Sequence, residues 1–80
     1  MILLDTRGLE HPVPLEMAFS AFAKLQSREI LHMIHTREPR PLFELVAKNG
    51  GRHYSYQDDE GVWHILMTRD TSIDLESCRV

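Results

Sequence analysis

Two rhythms of hydrophobic and polar positions divide this chain. Ile2-Leu3-Leu4 is a short continuous apolar run closed by Asp5, and it predicts a buried strand over residues 2–6. After the loop Thr6-Arg7-Gly8-Leu9-Glu10 the spacing changes. Leu15, Ala18, Phe19, Phe22 and Leu25 fall at offsets of 0, 3, 4, 7 and 10, one stripe of a helix expected from Pro12 or Pro14 to Leu25. Glu29 to His35 then reads as a strand, with Leu31, Met33 and His35 on one face and Ile30, His32 and Ile34 on the other. Leu42, Leu45, Val46 and Asn49 mark a second helix that starts near Pro39 to Pro41 and stops at Gly50-Gly51, where Gly50 suits a left-handed cap. His53 to Gln57 alternates as a strand, and Asp58-Asp59-Glu60-Gly61 is a hairpin-type turn whose carboxylates are expected simply to be solvated. Val62 to Thr68 is the last strand, with Trp63, Ile65 and Met67 on one face and Val62, His64 and Leu66 on the other. Arg69 to Val80 has no period and few anchors and is expected to be a mobile tail behind a single domain over residues 1–69.

One phrase occurs twice, as His11-Pro12-Val13-Pro14-Leu15 and as Glu38-Pro39-Arg40-Pro41-Leu42. Proline fixes φ near the helical value and lacks an N–H, so it suits the first turn of a helix and makes the residue before it extended. Each phrase is therefore a stiff strand-to-helix corner. The predicted order is β-α-β-α-β-β, an α/β two-layer sandwich with a four-stranded mixed sheet. Right-handed crossovers put both helices on one face. Parallel pairing of the first two strands puts both corners at one end, where open α/β folds place ligands. The second sheet face, with His32, Ile34, His64 and Leu66, is expected to be open and to offer a surface for a homodimer or another partner.

Composition narrows the classes. At 80 residues and 42% hydrophobic, the chain has enough apolar content for one small domain rather than a disordered segment. A formal net charge of −3 argues against non-specific nucleic-acid binding, which needs a basic face. The single cysteine, Cys78, excludes an internal disulfide and a thiolate zinc cage, which suits a reducing compartment. The stretch Met1 to Asp5 lacks the character of a signal peptide, and no run reaches the length of a membrane span, so a cytoplasmic protein is expected.

The stretch Leu4-Asp5-Thr6-Arg7-Gly8-Leu9-Glu10-His11-Pro12-Val13-Pro14 resembles the signature of the TusA/SirA sulfur-carrier family, Asp-x-x-Gly-Leu-x-Cys-Pro-x-Pro. The resemblance runs over residues 2–69 and implies the same two-layer fold. The family's sulfur-carrying cysteine corresponds to His11 here. Imidazole cannot hold a persulfide, so the family's transfer chemistry does not carry over. His35-Thr36-Arg37-Glu38-Pro39-Arg40-Pro41-Leu42 and Gly61-Val62-Trp63 resemble a neighbouring branch, the cysteine-lacking TusA-like domains of unknown function.

Candidate chemistry gathers at the two corners. His11 opens the first helix, where a neutral ring can accept a hydrogen bond or bind a metal. His35 ends the second strand and should stand beside the first corner. His11 and His35, with Glu10 or Glu38 as a third ligand, could hold a divalent metal such as zinc, copper or iron. Arg7, Arg37 and Arg40 flank the corners, and with two helix N-termini they suit a small anion or an acidic partner. His32 and His64 neighbour each other if strands two and four pair. The leading expectation is a small non-catalytic binding or accessory domain that presents this end to a protein partner or small anion. The alternatives are a metal-binding or redox-accessory protein using His11 and His35, and an enzyme with His11 as general base.

Overall fold

Each proline corner ends a loop that leads from a strand into a helix, over residues 6–12 at the first and 36–39 at the second. In the computed structural model, which describes residues 1–79, the elements follow as β1 (Ile2–Asp5), α1 (Val13–Ala23), β2 (Ile30–His35), α2 (Arg40–Lys48), β3 (Arg52–Gln57) and β4 (Trp63–Thr68). A single 3-10 turn, Glu76–Cys78, follows. Pro14 and Pro41 occupy the first turn of their helices, and neither helix has a side-chain cap at its start. The expected strand and helix order is therefore present, with ends shifted by a residue or two. The periodic stripe of α1 outlasts the helix itself: the N–H groups of Lys24 and Leu25 bond back to Ala21 and Phe22 in a tightened last turn, which keeps Leu25 buried. Gly50 has a φ of 77° and forms the left-handed stop of α2.

The sheet order is β1-β2-β4-β3. β1 and β2 are parallel, and β4 is antiparallel to both β2 and β3. Strand alternation sends Leu31 and Met33 of β2 and Ile65 and Met67 of β4 towards the helices. There they bury against Ala18, Phe22, Leu42 and Val46. Both helices thus cover one face, as right-handed crossovers require. Within the stripe expected for α2, Asn49 faces solvent instead: it follows the helix and its side-chain amide donates to the Leu45 carbonyl.

The second face corrects one expectation. It is not left open, because residues 70–79 lie across its β3–β4 side. Leu75 is buried against Tyr56 and Leu66, with Ile30, Tyr54, Ile73 and Cys78 around them. The Arg52 guanidinium donates to the carbonyls of Asp70 and Ile73, and Arg79 lies 4.4 Å from the centre of the Tyr56 ring. The apolar positions of that face are what the segment covers: leaving Leu66 and Tyr56 in water costs about 1.5–3 kcal/mol each. The anchor Leu75 carries no periodic signal, so the sequence does not announce it. Val80, the end of the expected tail, lies outside the described residues. Only towards β1 does the face stay exposed, at Leu3.

Candidate functional site at the two corners

Both corners open onto one cleft of about 280 Å³. The first contributes Leu9, His11, Pro14 and Leu15, and the second contributes His35 to Pro39 with Pro41 and Leu42. The parallel β1–β2 pairing brings them together, because it aligns the C-terminal ends of the two strands. The walls are mostly leucine and proline. His11, Thr36 and Arg37 are exposed, and His35 and Glu38 are partly buried.

His35 is held by a residue that local pattern does not single out. Thr6 is completely buried just past β1. Its hydroxyl donates to the Ile34 carbonyl at 2.9 Å and stands 3.0 Å from His35 Nδ1. A hydroxyl has one hydrogen, which Ile34 takes, so Nδ1 of His35 must carry the proton that bonds Thr6. The ring's lone pair is then on Nε2. Burial lowers the pKa of His35 and the nearby Arg37 adds to this, against an opposing hydrogen bond to the Thr6 backbone. The ring is therefore neutral at pH 7.

The charged residues expected around the corners separate. Arg37 lines the cleft and makes no hydrogen bond or ion pair among the described residues. Arg40 does not line it: its Nε pairs with Glu38 Oε1 at 3.0 Å. Glu38 also accepts the Ser55 hydroxyl, and these bonds, the Arg40 one foremost, lower its pKa. Arg7 turns away to Asp5, at 2.7 Å, and holds the Asp5 carboxyl down to about 2. Asp5 lies two residues from Arg7 and captures it before it can reach the cleft. Glu10 is also outside the lining, and its backbone carbonyl accepts the Val13 N–H that begins α1. Among the described residues no three His, Cys, Asp or Glu side chains converge to hold a metal ion. His11 and His35 share the cleft, but Glu10 lies outside its lining and Glu38 is engaged by Arg40 and Ser55. What sequence reasoning did not anticipate is the apolar wall, Leu9 above all. The apolar residue in a glycine-containing loop was its only signal.

Known proteins compare as follows. Residues 3–69 match the family described as "Uncharacterized conserved protein (DUF2249)". The chain belongs to this family. A SirA-like protein from Desulfitobacterium hafniense, known from its crystal structure, is similar with a TM-score of 0.77 and 20% identity, over 88% of this chain and 99% of that one. At that identity the likeness shows the fold, a TusA/SirA-like one. A search of curated proteins gave no match. The match to DUF2249 takes in both corners and the sheet from Leu3 onward, and stops before the segment that crosses the second face. No helix among the described residues is long and apolar enough to cross a membrane.

Proposed function

We propose that this DUF2249 domain is a non-catalytic binding module whose two-corner cleft receives an anionic group, carried by a protein partner or a small molecule. One observation carries the reading: Arg37 is a guanidinium on the cleft wall with no carboxylate of its own, beside the starts of two helices. A guanidinium without a carboxylate favours negative charge, and the positive ends of two helix dipoles add to it. The apolar surroundings favour a partner protein as the carrier of that charge. Leu9, Val13 and Met17 are about 40% exposed, with Leu9 on the cleft and Val13 and Met17 one turn apart on α1. His11, at the position of the sulfur-carrier cysteine, and the neutral His35 supply polar contacts rather than a nucleophile.

The test is an amide NMR titration with sulfate, phosphate and acetate. Saturable shifts at Leu9, His11, Thr36 and Arg37 are expected for at least one anion. Arg37→Ala should weaken that binding about 10-fold or more, the value of a charge-assisted hydrogen bond. His11→Ala should weaken it without unfolding the domain. Shifts that never saturate, or that ignore both substitutions, would remove the assignment.

A further inference from the structure

The second sheet face holds a hydrogen-bonded chain of titratable groups that the cleft does not use. Asp58 Oδ2 lies 2.8 Å from His64 Nε2, and His64 Nδ1 lies 2.8 Å from His32 Nε2. Pairing of β2 with β4 makes the two rings diagonal neighbours, since His32 faces Leu66 and His64 faces Ile34. Asp58 is not merely solvating its turn: its Oδ1 also accepts the N–H groups of Glu60 and Val62. Those bonds, the His64 one foremost, keep its carboxyl ionised by lowering its pKa. His32 is buried and His64 nearly so. The Tyr56 ring stacks on His64 at 4.9 Å with the planes 6° apart, and Arg79 of the crossing segment lies over the same Tyr56 ring.

We propose that the Asp58–His64–His32 chain is a proton-operated latch, which holds residues 70–79 across the sheet near neutral pH and lets them go in mild acid. The positions of the protons follow from the acceptors. Ionised Asp58 accepts, so His64 carries hydrogen on Nε2 and offers a lone pair at Nδ1. His32 must then donate from Nε2 and keeps its own lone pair on Nδ1. One added proton is accommodated without loss of contact. With three N–H groups and one lone pair on the inner and outer nitrogens, one ring still donates to the other across the 2.8 Å contact. A second proton has no such arrangement, because it sets N–H against N–H and two positive rings together at hydrogen-bond distance.

The charge reaches the crossing segment through Tyr56. Repulsion between the two charged rings pushes the His64 ring off His32 and against Tyr56, on which it stacks, and Tyr56 is both the ring that Arg79 lies over and the wall against which Leu75 is buried. The other charged groups facing the chain do not cancel this. On the β1 side Asp5 is already bound to Arg7, which also feels Asp58 and Glu60. On the β3 side Arg52 is committed to the carbonyls of Asp70 and Ile73. In the segment itself Asp70 bonds Ser72, while Asp74 and Glu76 are exposed. Burial and the His64 charge both lower the His32 pKa, so the folded state binds fewer protons there than the unfolded chain. The latch is closed above the ordinary histidine range and weakens as pH falls from that range to the lowered His32 value. Release would uncover Tyr54, Tyr56, Leu66 and Ile30 as an apolar sheet surface.

The experiment follows the intact chain by NMR from about pH 7.5 to about pH 5, where histidines titrate. Imidazole 15N signals report the protons. Hydrogen exchange at Ile73 and Cys78, whose N–H groups bond the carbonyls of Asp70 and Leu75, reports the segment, with Leu31 and Ile65 as core references. Protection at Cys78 should fall about 10-fold or more together with the second imidazole step, while the core amides hold. His32→Gln keeps a donor for His64 but cannot take a proton, so the segment should stay protected across that range. Undiminished protection in the wild type, loss that tracks the core amides, or loss out of step with the imidazoles would each overturn the proposal. The wild-type arm decides even if His32→Gln fails to fold.

Discussion

Gly51 links α2 to β3, and a methyl group there has nowhere to go. An alanine Cβ would lie 2.3 Å from Phe22 Cζ, 2.5 Å from Phe22 Cε1 and 2.9 Å from Val46 Cγ1. Ordinary contact between carbons is about 3.5–4.0 Å, so the overlap with the ring exceeds an ångström. Phe22 is 1% exposed and shares the core with Ala18, Leu42 and Val46, so the ring cannot swing aside. Overpacking of this kind costs about 1–3 kcal/mol, and two tight ring contacts put Gly51→Ala at about 2–3. Its neighbour provides the control. A Cβ on Gly50 meets nothing within 4 Å, and only its φ of 77° resists a side chain. Gly50→Ala should therefore cost about 1–2 kcal/mol, from backbone strain alone. Urea unfolding followed by Trp63 fluorescence measures both, and thermal unfolding should drop by about 10–20 °C for Gly51→Ala. Phe22→Leu removes the two clashing ring atoms. In that background the Gly51→Ala cost should shrink by about 1–2 kcal/mol, while that of Gly50→Ala should not change. Equal costs at the two glycines, or no relief from Phe22→Leu, would refute the steric account.

Two further outcomes test the supports of the site. Thr6→Val should cost about 1 kcal/mol in urea unfolding, since the Ile34 carbonyl keeps the Thr6 N–H and loses only the hydroxyl; imidazole NMR should show His35 losing its fixed Nδ1–H form. Arg7→Ala should return the Asp5 carboxyl from about 2 towards the ordinary carboxylate range in a 13C NMR titration. The Asp5 value is lowered in the fold, so its stabilisation is present above the ordinary range and lost as pH falls to about 2; in Arg7→Ala this acid dependence should disappear.

Element type and order were legible because they depend on neighbours along the chain. A stripe at Leu15, Ala18 and Phe22 can be satisfied only by a helix, and alternation at Leu31 and Met33 only by a strand with one buried face. Two prolines at each corner and Gly50 at the end of α2 set the boundaries by φ alone. From these the two-layer fold and the end that carries the cleft followed. His11 and His35 were found in the same way, as polar residues at the two corners.

What tertiary structure decided was partnership. Arg7, Arg37 and Arg40 look equivalent in sequence, yet Asp5 captures one, Glu38 captures another, and only Arg37 remains for the cleft. An ion pair depends on side-chain reach across a turn, which periodicity does not encode. The buried Thr6 beneath His35 and the Asp58–His64–His32 chain depend on which strands neighbour each other and in which register. Leu75 is the clearest case. It lies with Ile73 in a mostly polar stretch that gives no helical period, and it is buried only because β3 and β4 together present Tyr56 and Leu66 to it. Local spacing determines the elements of this protein, because each residue's neighbours in sequence are also its neighbours in a helix or strand. The choice of partners waits for the sheet to bring distant residues within hydrogen-bond length.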